Sequence, residues 1–217
     1  MTKPTQRGLA QAVLDAHGRT YAEEIGIRLA DTPAPLFQLL CGSLLLSARI
    51  SADSAVEAAR ALRQAKYTTP QKMADATWQD RVNVLTSHGY KRYDESTATM
   101  LGETSELLIE RYGGDLRKLR QEADRDAKAE HQLLQQFKGI GKLGADIFLR
   151  EVQVVWPEVY PHADARVGKA ASKLGLPKDA KALARLVDPK DFPRLVAGLI
   201  RVQLNNAFQE VKDKAAG

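Results

Sequence analysis

Apolar positions along the chain recur at helical spacing, and no stretch sustains the period-two alternation between turn signals that marks a half-buried strand. The pattern predicts an all-α fold. An amphipathic segment runs from about Arg7 to Leu29, broken by Gly18 and Gly26, and Pro33 and Pro35 mark the entry into the next element. Beyond them Leu36, Phe37, Leu39, Leu40, Leu44, Leu45 and Leu46 crowd nearly every face, which predicts a buried central helix. Ser51 is placed to cap a helix bearing Ala55, Val56, Ala59 and Leu62, after a short loop around Arg49 and Ile50. Thr69 before Pro70, and Thr77 three residues ahead of Asp80, repeat the cap signature, so short helices follow in succession. A longer helix from about Arg92, with Met100, Leu101, Leu107, Leu108 and Ile109, ends at Gly113-Gly114. The charged run LRKLRQEADRDAKAEH reads as a solvated helix face and linker, and Val152 to Trp156 as a helix end or buried loop. From Leu186 to Val211 an apolar stripe of Phe192, Leu195, Val196, Leu199, Ile200, Leu204 and Phe208 should pack back on the rest.

With 217 residues, 44% of them apolar, the chain can bury one core or two small lobes. No repeat or linker stands out, so lobes would be assembled from discontinuous pieces: lobe A from about 1–34 plus 140–217, lobe B from about 35–139, with 131–150 near their junction. The N-terminus lacks the apolar core of a signal peptide, and the densest apolar run, around Leu36 to Ala48, is too short to span a bilayer, so a soluble, cytoplasmic protein is expected. A single cysteine, Cys41, excludes an internal disulfide and reads as a buried small hydrophobe, while the four histidines show no zinc-like spacing. A net charge of +5 steers toward polyanions only if the cations share a face; a uniformly solvated surface fits the number equally well.

The informative segment is HQLLQQFKGIGKLGADIFLREV, residues 131–152, in which two helical runs flank Phe-Lys-Gly-Ile-Gly-Lys. Gly139 and Gly141 allow a turn that exposes consecutive N–H groups, and the following helix adds the positive end of its dipole. Lys138, Gly139, Ile140, Gly141, Lys142 and Gly144 therefore form a candidate phosphate site. The other reading is a tight helix–helix turn whose glycines serve geometry alone.

This hairpin resembles the helix-hairpin-helix of the endonuclease III and alkyladenine-type DNA glycosylase superfamily, and the likeness runs from about Pro35 to Phe208. The resemblance implies two helical lobes around a DNA-binding cleft and a catalytic aspartate shortly after the second hairpin helix. Asp164, in YPHADARVGKA and 23 residues after Gly141, answers to it, with WPEVYP as an insertion in a slightly long interval. Upstream, PLFQLLCGSLLLSARISADSAVEAARAL looks like the family's buried helix and the loop that enters the base stack. Arg49 then stands where relatives often carry a glutamine that fills the gap left by a flipped base, and Tyr90, after Gly89, occupies a second wedge position.

Two departures bear on the reaction. Bifunctional relatives carry a lysine two positions after the second hairpin glycine; here that position is Leu143. Lys142 is adjacent but turned about 100° around the helix, so it is first a phosphate ligand and only second a lyase nucleophile. The four-cysteine cluster loop of many relatives is missing, so no iron–sulfur cluster or other cofactor is expected, and the only metal considered is a monovalent cation at the hairpin carbonyls.

The resemblance thus implies a monomeric, monofunctional DNA glycosylase that binds double-stranded DNA at a lesion or mismatch, flips the base and cuts its N-glycosidic bond with Asp164. The alternatives are a non-catalytic damage- or structure-binding protein of the same fold, a glycosylase with lyase activity through Lys142, and a helical protein-interaction module in which the hairpin is only a turn. Asp164 has a structural reading as well, as the N-cap of a helix through Val167, Ala170 and Leu174. Asp146 and Glu151 read as surface or capping groups and His162 as structural. The missing lysine favours alkylated, deaminated or mismatched bases over oxidised ones.

Overall fold

The computed structural model describes residues 4–87 and 94–216, and every regular element among them is helical. The helices are α1 (Gln6–His17), α2 (Tyr21–Ile25), α3 (Pro33–Leu46), α4 (Ala52–Gln64), α5 (Pro70–Asp75), α6 (Trp78–Ser87), α7 (Asp94–Tyr112), α8 (Leu116–Glu122), α9 (Ala127–Leu134), α10 (Lys142–Val152), α11 (Ala165–Leu174), α12 (Ala180–Ala184), α13 (Phe192–Leu204) and α14 (Phe208–Ala216), with short 3₁₀ turns at Pro157–Val159 and Pro189–Asp191. Their starts follow the cap residues. The Ser51 side chain accepts from Ser54 N–H and Thr69 from Lys72 N–H, while Thr77 and Asp80 satisfy each other's backbone N–H groups at 3.1 Å each. No helix among the described residues is long and apolar enough to cross a membrane.

The chain divides into two compact units, Ala22–Glu158 and the combination of Met1–Tyr21 with Val159–Gly217. These bounds differ from the expected breaks near residues 34 and 139. The hairpin helix α10 packs on α3 and α9, so the whole segment up to Glu158 stays with the larger unit.

In the larger unit α3 is the central helix, with Leu36, Phe37, Leu39, Leu40, Leu44 and Leu45 all at most 2% exposed. It is surrounded by α4, α8 and α10, while α5 and α6 pack on α7. The charged run after Gly114 is a correction to the sequence reading. It folds into α8 and α9 and buries Leu116, Leu119 and Glu130 completely. Arg120 is also drawn in, joined to Asp31 at 2.9 Å and to Glu158 through Nη2 at 2.7 Å. Charge density in the sequence hid these anchors because they fall one to a turn on otherwise solvated helices.

The smaller unit is built from α1 and α11–α14 around Leu9, Val13, Val167, Ala170, Leu174, Leu195, Val196 and Leu199. Helices α1 and α13 cross closely at Gly198, where a Cβ would stand 2.7 Å from Val13 Cγ1. The C-terminal carbonyls of α1 are taken by α13: Arg194 donates to Gly18 O at 2.8 Å and Arg201 to His17 O at 3.0 Å. Leu204, expected in the apolar stripe, is instead 59% exposed, because α13 ends there.

Candidate nucleic-acid interface and catalytic carboxylate

The hairpin lies entirely in the larger unit. Its first helix, α9, ends at Leu134, and Phe137 and Ile140 plug the turn into the core with 2% exposure each. Between them Gly139 adopts φ +81°, and a Cβ there would stand 2.6 Å from Met100 Sδ and 3.1 Å from Leu44 Cδ1. Glycine is thus required twice over at this position, by backbone conformation and by space. Gly141 differs: its φ is −83° and nothing lies within 4 Å of a Cβ built on it. That position is open to an incoming group. As N-cap of α10, Gly141 offers no side chain to the first-turn N–H groups of the helix, so the positive end of α10 is uncovered where Lys138 and Lys142 are both exposed.

Three contacts fix this turn. Thr104 on α7 donates to Lys138 O at 2.9 Å. His131 Nε2 on α9 meets Asp146 Oδ1 on α10 at 2.9 Å. Lys142 Nζ stands 4.0 Å from the other oxygen of Asp146. Asp146 is therefore a brace between the hairpin helices rather than a surface group. Glu151 is also internal, 2% exposed and accepting from Ala22 N–H at 2.9 Å at the start of α2. Phe137 O, Lys138 O and Gly141 O each accept one hydrogen bond, which leaves each a second lone pair. Among the described residues no group of three or more His, Cys, Asp or Glu could hold a metal ion.

Arg49 stands in the same unit, exposed in the bend between α3 and α4. With Ser47, Ala48, Ser96, Thr97 and Met100 it lines an open recess of about 340 Å³. Met100 also contacts the Gly139 turn, and Ser47 Oγ comes within 3.6 Å of a Cβ placed on Gly144, so recess and hairpin are neighbours. Tyr90 lies outside the described residues. Cys41 is buried, and burial pushes its thiol well above the usual range, which makes it a core hydrophobe.

Lys142, weighed above as a nucleophile, has 75% of its side chain in solvent beside the Asp146 carboxylate. An amine nucleophile is normally activated by desolvation or by a dominant second cation, whereas this one is solvated and has a carboxylate as its neighbour. Leu143 is half-buried and carries no nucleophile.

Asp164 belongs to the smaller unit and begins α11 as its N-cap, with Oδ1 accepting from Arg166 N–H at 2.7 Å. Its side chain is half-buried at an open groove of about 640 Å³ that Gly168, Lys169, Ser172, Lys173 and Lys178 also line. The capping role expected from sequence is thus present, and it fixes the carboxylate at the positive end of a helix without enclosing it.

No protein-family model and no curated protein sequence matches the chain. Solved structures do match. A trapped endonuclease III–DNA covalent intermediate, an estranged-adenine complex, aligns with TM-score 0.51 and 17% identity over 91% of this chain and 85% of that one. A non-covalent endonuclease III–DNA complex aligns with TM-score 0.52 and 15% identity over 98% and 97%. The chain has the helix-hairpin-helix DNA glycosylase fold. The same fold is shared by the H. pylori 3-methyladenine DNA glycosylase MagIII bound to 1,N6-ethenoadenine, with TM-score 0.57 and 13% identity over 93% of this chain and 98% of that one.

Proposed function

We propose that this protein is a monofunctional DNA glycosylase that grips the backbone with the Gly139–Gly141 hairpin and uses Asp164 to cleave the bond between a flipped base and its sugar. The observation that carries the reading is the uncovered N-terminus of α10 behind Gly141, a glycine that no contact within the protein requires. A phosphate oxygen approaching there meets converging N–H groups, the helix dipole and two exposed lysines.

As the C1′–N bond breaks, electrons leave with the base and the sugar becomes oxocarbenium-like, so an ionised carboxylate beside C1′ stabilises the developing charge. Asp164 is assigned that role, together with orienting the water whose oxygen bonds to C1′ and whose proton is lost. The departing base keeps the bonding pair and takes up a proton. Arg49, and Tyr90 by its position in the sequence, are assigned to the gap left in the stack, where filling volume offsets part of the unstacking cost of a few kcal/mol. Leu143 in place of a lysine, together with the solvent-exposed Lys142, argues against an imine intermediate and hence against lyase chemistry. The substrate class proposed is an alkylated, deaminated or mismatched base in duplex DNA. The protein would work as a monomer without a cofactor.

The test is a panel of duplexes, each with one such lesion, treated with protein and then with hot alkali, beside the variant Asp164→Asn. Strand breaks that need alkali and vanish in the variant support the proposal. Asparagine caps a helix as well as aspartate, so an unchanged melting temperature assigns the loss to chemistry rather than folding. Breaks without alkali would point to a lyase through Lys142. Binding with no breaks on any duplex would favour a non-catalytic recognition protein of the same fold, and no salt-sensitive binding at all a protein-interaction module.

A further inference from the structure

Helix α11 divides sharply by charge. Val167, Gly168, Ala170, Ala171 and Leu174 are buried, while Arg166, Lys169 and Lys173 are exposed at spacings of three and four residues along one face. The helix contains no acidic residue. Lys169 and Lys173 line the groove at Asp164, and Lys178 joins them from the loop after the helix. Gly168 fixes that loop: a Cβ there would stand 3.1 Å from Lys178 O, so the loop backbone lies directly on the helix. Among the described residues, none of the three lysines has a carboxylate within 4.0 Å, although Lys173 Nζ stands over the Phe208 ring at 5.0 Å.

Three like charges in one groove repel, and Lys169 and Lys173, one helical turn apart, are an unfavourable pair on an isolated helix. Such an arrangement is relieved by a polyanion. The single carboxylate in the groove narrows the choice. Asp164 would repel a partner that is acidic throughout, such as an acidic peptide, but suits a strand whose phosphates are anionic while one sugar becomes positive in the reaction.

We propose that Lys169, Lys173 and Lys178 bind the phosphates on either side of the nucleotide under attack, giving the smaller unit its own grip on the DNA backbone, separate from the hairpin. This rests on the glycosylase reading above. The lysines act as point charges on phosphate oxygens and need no base contact, so their contribution is independent of sequence and sensitive to salt.

The experiment measures affinity for a duplex carrying a tetrahydrofuran abasic-site analogue across a salt series, which requires no catalysis. It compares the wild type with Lys169→Gln/Lys173→Gln/Lys178→Gln and with a control of equal charge change, Lys72→Gln/Lys118→Gln/Lys128→Gln. Each lost phosphate contact lowers the slope of log affinity against log salt by about 0.9. The groove variant is expected to lose about two to three from the slope and to bind at least about tenfold more weakly at moderate salt, with the control within about twofold of wild type. All six positions are exposed, and matching thermal melts confirm that each variant is folded. If wild type binds and the groove variant binds equally well, or the control loses as much, the groove proposal is overturned while the glycosylase reading stands. If the wild type itself shows no salt-sensitive binding, the glycosylase reading fails and the groove assignment falls with it.

Discussion

His131 Nε2 on α9 and Asp146 Oδ1 on α10 meet at 2.9 Å and join the two helices of the hairpin. Both side chains are less than one-fifth exposed, so the contact is shielded from water. Removing either partner breaks the link between the two helices and leaves Asp146 with only the longer Lys142 contact, or His131 with only Gln135.

His131→Ala is expected to lower unfolding free energy by about 1 kcal/mol, measured in urea, and, under the proposed function, to weaken duplex binding because the hairpin N–H groups are no longer held in one geometry. Unchanged binding with reduced stability would show that the brace serves folding alone.

The two hairpin glycines should respond differently to alanine. Gly139→Ala places a methyl group against Met100 and Leu44 in a left-handed backbone, and should cost about 1–3 kcal/mol of stability. Gly141→Ala meets no protein atom and should melt within a degree or two of wild type. Under the proposed function its methyl group occupies the approach of the phosphate, so duplex affinity should fall at least about tenfold, read by fluorescence anisotropy at fixed salt. Normal affinity for Gly141→Ala would count against the hairpin as the phosphate site.

Glu130 on α9 is completely buried beside the Glu158 carboxylate, to which its protonated carboxyl donates a hydrogen bond. Burial, reinforced by the neighbouring Glu158 charge, pushes its pKa up to about 8. The folded protein therefore holds this proton up to about pH 8, whereas the unfolded chain releases it near 4.5. Stability from this group is complete below about pH 4.5, falls as pH rises through the interval, and levels off above 8. Glu130→Gln has no proton to lose, so it should flatten urea-unfolding stability between pH 5 and 8 and exceed wild type at pH 8. Glu158 moves the other way: desolvation raises it, but the Arg120 hydrogen bonds and charge prevail and hold it below the usual carboxylate range. Its contribution is lost only as pH falls through the acid range, outside the window assigned to Glu130.

Leu143→Lys places an amine at the position where the family resemblance implies a lyase lysine. On an abasic duplex this variant should form a covalent adduct with borohydride, while wild type and Lys142→Ala show equally little. An adduct in the wild type that disappears in Lys142→Ala would overturn the monofunctional assignment.

The local features were legible from single residues. Ser51, Thr69, Thr77 and Asp164 each start a helix because a short polar side chain can bond a first-turn N–H without help from distant parts of the chain. The apolar crowding of α3 announced a helix with no solvent face, and Gly139 and Gly141 together announced a turn, though only the structure shows that Gly139 alone requires glycine. Asp146, Glu151 and Glu130 were not legible, since whether an acidic residue on a helix faces water, braces a neighbour or is sealed in the core depends on what packs against it.

The sequence by itself determined the helices and the hairpin, because capping, periodicity and glycine geometry act over a few residues, and it made Asp164 a candidate only through the resemblance to the glycosylase superfamily. Only the tertiary structure decided that α10 stays with α3, that the charged run carries buried anchors, and that Lys169, Lys173 and Lys178 share a groove with Asp164. Those outcomes depend on which apolar faces meet over long separations, and nothing in the sequence singled these lysines out.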